Sequence, residues 1–425
     1  MPFDADIENS SYTGATPSGL AAYNAALSQF TCYAGDPFAP LNDAIAENPG
    51  FVRAHILKAW MPLIGSDRPS QAMAAGAYHD ATKLSMNRAE LGHVTALGKV
   101  IDGEIRQAAR ILEDVSIEDP TDVLALQMGQ VLDFLLGDSR MLRDRIGRAL
   151  PFWSEDMPHC HAILGMFAFG LEEMGQYARA EAAGRRAIEL EPRNSWAQHA
   201  VAHVLEMQDR RRDGIAWMTE DTDRWAKDNF FAVHNWWHLA LFHLGLGEVD
   251  KVLELYDGPI YGTPSPMEFD MVDAAAMLWR LKLMGVEVGD RWTAIADGWQ
   301  AISDVSYYGF NDAHAAMALV GAGRSEALKD LVKAQAAAML GAGDNAEFVR
   351  EVASPLVQGI IAFGDGDYSE TVERLRPIRS KAHRFGGSHA QRDVIDLTLV
   401  EAARRSGQEN LALALIAERQ LVYPR

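Results

Sequence analysis

The stretch "HAILGMFAFGLEEMGQYARAEAAGRRAIELEPRN" (161–194) decides the fold. Its apolar residues recur at helical spacing through Ile163, Leu164, Phe167 and Leu171. Gly175 interrupts the pattern, and Tyr177, Ala180, Ala187 and Ile188 resume it until Pro192. That order predicts two helices joined by a tight turn, with small residues where they cross and a proline closing the second. Taking Gly175 as a ruler, equivalent junctions fall at Gly65, Gly103, Gly137, Asp209, Gly247, Gly285, Gly323, Gly366 and Gly407. Successive gaps run from 34 to 43 residues. Strand signals are nearly absent: there is no alternating β-branched run and no Asn-Gly hairpin turn.

The 34-residue unit resembles a tetratricopeptide repeat. The expected fold is therefore all-α, a solenoid of about ten helix pairs in a right-handed superhelix, each pair burying its apolar face on its neighbours. Residues 1–40, with Cys32, are expected to cap one end, and 41–425 to form one continuous helical-repeat domain with a central pocket around 155–320. The prolines of "DGPIYGTPSPMEF" (257–269) predict the longest non-helical insertion, and "ALALIAERQLVYPR" a last helix with a short tail.

Composition narrows the function. The net charge of −20 makes nucleic acid and anionic membrane surfaces poor partners. No window reaches about 18 consecutive apolar residues, and the acidic, polar start lacks the form of a secretory signal. Two cysteines, Cys32 and Cys160, make no CxxC pair and no disulfide framework. A reduced, cytoplasmic protein is the expectation.

Seven of the 13 histidines lie between 159 and 243, and eight of the ten tryptophans between 196 and 299. In "HAVAHVLEM" (199–207), His199, His203 and Glu206 share one helical stripe about 60° wide. In "HNWWHLALFH" (234–243), His234 and His238 form a second stripe, whereas His243 points oppositely and is expected to cap carbonyls at the helix end. Of Trp236 and Trp237, either one packs between helices while the other faces the groove, or both serve core packing alone. His55, His93 and His199 each stand ten residues before a turn, as a polar position repeated along an inner groove would. Asp273 and Arg280, seven apart on an apolar helix, make either an ion pair or a pocket wall. Asn311 and Asp312 are expected to cap the helix that carries His314.

The segments "HAVAHVLEMQDRRRDGIAWM", "NFFAVHNWWHLALFHLGLGEVDKVLELYD", "VDAAAMLWRLKLMGVEVGDRW" and "FNDAHAAMAL" resemble the tetratricopeptide repeat protein 38 family. The likeness covers roughly 195 to 320, and the rest by repeat pattern alone. It implies a helical-repeat fold and a shared polar set in the central repeats: His199, His203, Glu206, His234, Asn235, His238, Asp273, Arg280, Asn311, Asp312 and His314. It implies no chemistry.

Two functions are in view. The first is a binding protein that holds a small molecule or a short peptide end in a concave pocket lined by His161, His234, Asn235, Trp237, Asp273, Arg280, Asn311, Asp312 and His314. The second is an enzyme, a hydrolase of a small amide or ester using His199, His203, Glu206 and His238. No G-x-S-x-G nucleophile is present. Imidazoles four apart can share one ion, so His199, His203, His234 and His238 form a transition-metal site, a metal-free polar pocket or a set of satisfied structural histidines. A protein-interaction scaffold and a homo-oligomer are compatible with the same fold.

Overall fold

A computed structural model describes residues 12–302 and 306–423. Residues 1–11 of the expected capping segment and the last two residues of the tail lie outside that range. Among the described residues the chain is helical throughout and holds no strand, only an isolated bridge between Ala34 and Asn229.

The turns fall where the ruler placed them. At Gly103, Gly137, Gly175, Gly247, Gly285, Gly323, Gly366 and Gly407 φ lies between 64° and 81°, and Asp209 takes 57°. A helix that ends on a left-handed residue satisfies its last carbonyls, and glycine or aspartate enters that region at least cost. Cys160–Glu173 and Tyr177–Leu190 flank Gly175, Ser195–Met207 and Arg211–Thr219 flank Asp209, and each later turn has its own two helices. Only the first turn differs. The Val52–Trp60 helix tightens into a 3₁₀ turn over Met61–Gly65, so the left-handed residue is Ser66, one position later.

Three stretches depart from the regular pattern. Pro17–Cys32 and Phe38–Glu47 form a helix pair ahead of the first counted turn, reversing at the left-handed Tyr33. The insertion at 257–269 is shorter than its prolines predict. A wide turn, Tyr256–Ile260, carries Pro259 and breaks at Gly258, and the next helix already begins at Glu268. The longer repeat gaps late in the chain hold extra turns, Asp344–Phe348 with Val349–Ala353 and then Arg376–Phe385.

The chain divides into two compact units: Met1–Asp133 with Ser139–Val201 and Thr222–Ala232, and Phe134–Asp138 with Ala202–Asp221 and Val233–Arg425. In the first, Arg53 donates to Asp122 at 2.7 Å, His93 Nε2 donates to the same carboxylate at 2.9 Å, and Trp60 Nε1 donates to His93 Nδ1 at 3.2 Å. His55 meets the Pro49 carbonyl at 3.0 Å. These two histidines occupy the repeated polar position, yet both serve packing. In the second unit, Trp237, Trp279 and Trp299 anchor the interior, and Trp279 Nε1 donates to Thr398 at 2.9 Å.

Two glycines separate backbone conformation from space. Both Gly137 and Gly175 are left-handed, but a Cβ on Gly137 would stand 1.7 Å from the His383 carbonyl oxygen, whereas one on Gly175 meets nothing within 4 Å. Gly175→Ala is therefore expected to cost only the left-handed penalty, about 1–2 kcal/mol. Gly137→Ala adds backbone displacement of about 1–3 kcal/mol more. Urea denaturation of the two variants checks the difference.

Candidate metal and ligand centre

The helices that carry the central histidines are fixed at both ends by local chemistry. Asn194 accepts from the Ala197 N–H and starts the Ser195–Met207 helix, which Asp209 ends. Ala232–Gly245 runs to the Gly247 turn. Glu268–Leu283 has Glu268 and Asp270 in its first turn and Arg280 and Lys282 in its last, the order that suits its dipole.

In the second unit, His203 comes from the first of these helices, and His234 and His238 from the second, one turn apart. All three are buried. The rings of His203 and His238 lie 4.5 Å apart, and those of His234 and His238 4.8 Å apart. One potential ligand nitrogen from each lies within 4.8 Å of the others. Asp273 accepts from His234 Nδ1–H at 2.8 Å, which fixes the orientation of the ring. Burial pushes the pKa of His238 well down, and the nearby His203, His234 and Arg280 push the same way, so His238 is neutral at pH 7.

Trp237 binds this group together. It is fully buried, stacks on His234 at 5.4 Å, and meets His238 edge-on at 5.0 Å. Arg280 lies over the indole at 5.3 Å. Trp236 is half-buried. Asp273 and Arg280 make no ion pair with each other: Asp273 holds His234, and Arg280 donates to the Ala390 carbonyl at 2.7 Å.

Glu206 follows His203 by three residues, and its Oε2 is buried without a hydrogen-bond partner among the described residues. Burial raises its pKa to about 7, opposed by Arg211, Arg280 and Arg419 and assisted by Asp393. A carboxyl whose pKa rises on folding weakens the fold as pH climbs from its unfolded value, about 4.3, towards 7. The stability gap between Glu206→Gln and the native protein should therefore widen in favour of the variant from pH 5 to pH 8. Melting curves across that range check the sign.

His314 donates from Nδ1 to the Phe310 carbonyl at 2.9 Å, and its buried Nε2 has no partner among the described residues. Burial lowers its pKa to about 4. Asn311 and Asp312 do not cap that helix, because it begins earlier, at Gly309 after Tyr308. Asn311 instead donates to Glu268 at 2.7 Å, and Asp312 accepts from Ser306 at 2.5 Å and from Gln335 at 2.9 Å. Asn235 is buried beside His234 in sequence. His243, at the helix end, pairs with Glu248 at 2.6 Å instead of capping carbonyls.

Two expected site residues belong to the first unit. His199 packs against Trp196 and Phe231, each at 5.0 Å, and Phe169 at 5.4 Å. His161 accepts from Asn194 at 3.0 Å. Asp270, Asp393, Arg419 and Tyr423 join the surroundings without any local sequence pattern that marks them. Asp270 is buried and its pKa rises to about 6 for that reason, and the other three reach Arg280 and Glu206 electrostatically from the end of the chain.

No protein-family model matches the chain. Solved structures it resembles include the human IFIT1 dimer with m7Gppp-AAAA, at 14% identity and a TM-score of 0.37, covering 95% of this chain and 94% of that one. Yeast Tom70 follows at 12% identity and 0.36, covering 96% and 92%. Naa15/Naa10 bound to HypK-THB gives 10% identity and 0.27, covering 96% and 64%. Superpositions this distant assign neither a family nor a ligand to the chain. No helix among the described residues is long and apolar enough to cross a membrane.

Proposed function

We propose that the second unit binds a transition-metal ion through His203, His234 and His238 and presents it to a small ligand. The convergence of three buried imidazoles, one of them oriented by Asp273, carries this conclusion. Nitrogen ligands, burial and the absence of thiolates from the set favour zinc. Tetrahedral zinc with Zn–N near 2.0–2.1 Å needs ligand nitrogens about 3.4 Å apart. The present spacing therefore closes by roughly an ångström when the ion enters, within the reach of small χ rotations. Three protein ligands leave a fourth position for water or a ligand, the arrangement of catalytic rather than structural zinc.

A hydrolytic role is favoured by one further observation. Glu206, on the His203 stripe, is a buried carboxyl held near neutrality, where a general base works best. A metal in this site would polarise a carbonyl or lower the pKa of water, and Glu206 would take the proton. A small amide or ester is the substrate class that this chemistry serves.

Purified protein dialysed against zinc-containing and then zinc-free buffer should retain one zinc per chain by elemental analysis. Retention of none, with the protein folded, refutes metal binding.

A further inference from the structure

Arg280 is 3% exposed, yet among the described residues no carboxylate forms an ion pair with it: Asp273 pairs with His234 and Asp393 with Arg419. Among the described residues its hydrogen bonds are two, both to carbonyls: Ala390 at 2.7 Å and a long contact to Ala276 at 3.4 Å. A guanidinium carries five donors and a full charge, so burial with this little compensation is costly. The two carboxyls whose field reaches it, Asp393 and Glu206, do not pair with it. Asp393 holds Arg419 through both oxygens at 2.6 Å, and burial raises the pKa of Glu206 to about 7, so its negative charge is only partial at pH 7.

The surroundings are equally incomplete. Trp237 Nε1, His314 Nε2 and Asp273 Oδ1 are buried polar atoms with no hydrogen-bond partner among the described residues. Trp237 touches Arg280 and the rings of His234 and His238. Buried unsatisfied groups are rare in native proteins and call for an explanation such as a bound molecule. One cation needing one negative charge, beside an indole N–H donor, matches a carboxylate better than a phosphate dianion.

We infer that Arg280 receives the carboxylate of a small organic acid, with the Trp237 Nε1–H as a second donor to it and the remainder of the molecule directed to the histidine centre. This deepens the metal-site proposal by naming the substrate class, a small molecule with a free carboxylate close to the bond or group presented to the ion. The carboxylate contact itself does not need the metal.

The test uses the full chain, stripped of metal on a chelating resin and carrying ¹⁵N in its tryptophan indoles. The Trp237 N–H signal is assigned by its loss in Trp237→Phe. Sodium acetate, titrated against sodium chloride at equal ionic strength, should shift that signal saturably. Arg280→Gln should weaken the response at least tenfold. Arg280→Lys, which keeps the charge but loses the planar fork, should weaken it at least threefold and remains informative if the glutamine variant does not fold. An unmoved Trp237 signal, or variants that titrate like the native protein, overturns the inference. Because the titration is done without metal, a negative zinc result leaves an acetate result standing, and the reverse also holds.

Discussion

Asp122→Ala is expected to destabilise the first unit by about 3–5 kcal/mol, the usual cost of leaving one partner of a buried ion pair uncompensated. Both side chains of the Arg53–Asp122 pair are 4% exposed. The variant also removes the acceptor of His93, which is completely buried and already receives Trp60 on its other nitrogen. The Arg53 and His93 contacts hold the Asp122 carboxyl far below the usual range against its burial. A depressed carboxyl contributes stability that is complete above its unfolded pKa, about 3.9, and drains away as pH falls beneath it. His93 acts in the same direction from a higher starting point, since burial lowers its pKa below 6.5 and unfolding lets it charge. Urea unfolding at pH 7 should show the full loss in Asp122→Ala, and the difference from the native protein should shrink below pH 4. A variant within 1 kcal/mol of the native protein at pH 7 contradicts the assignment of this network as structural.

The second large effect concerns His238. It sits between His203 and His234, with ring centroids 4.5 and 4.8 Å away, so its removal leaves two ligands without their central neighbour. Altering a group that only orients a metal ligand costs about 10–100-fold in affinity. Loss of a ligand exceeds that, so His238→Ala should weaken zinc binding by more than about a hundredfold. Asp273→Asn, which acts only through His234, should fall within the smaller range. Competition with a chromophoric chelator measures both, with circular dichroism to confirm that the helices persist. Equal zinc affinity in native protein and His238→Ala would remove His238 from the ligand set.

Much of the fold was legible because a helix reversal makes a demand on one residue. The left-handed position selects glycine, and Asp209 could be placed there because aspartate tolerates it. Gly65 misled by one residue, since a 3₁₀ turn runs through it, and nothing in "WMPLIG" distinguishes that ending from an α-helical one. The histidine stripes were legible from i, i+4 spacing alone. What those stripes meet was not. Asp273 joins His234 across 39 residues, and Arg280 meets Ala390 across 110. Pairings at such separation leave no local pattern. The capping role expected of Asn311 and Asp312 failed for a related reason: their residue types suit an N-cap, but packing extends the helix back to Gly309. His55 and His93 carried the same spacing signal as His199 and proved to be satisfied within the first unit. Periodicity places a side chain on a face without saying what it touches there.

X-ray absorption at the zinc edge of the zinc-loaded protein tests the histidine centre most directly. Three imidazole nitrogens and one further light atom near 2.0–2.1 Å are predicted, with no sulfur. A shell of oxygen atoms with fewer than two imidazoles, or one unchanged in the triple variant His203→Ala, His234→Ala, His238→Ala, would contradict it.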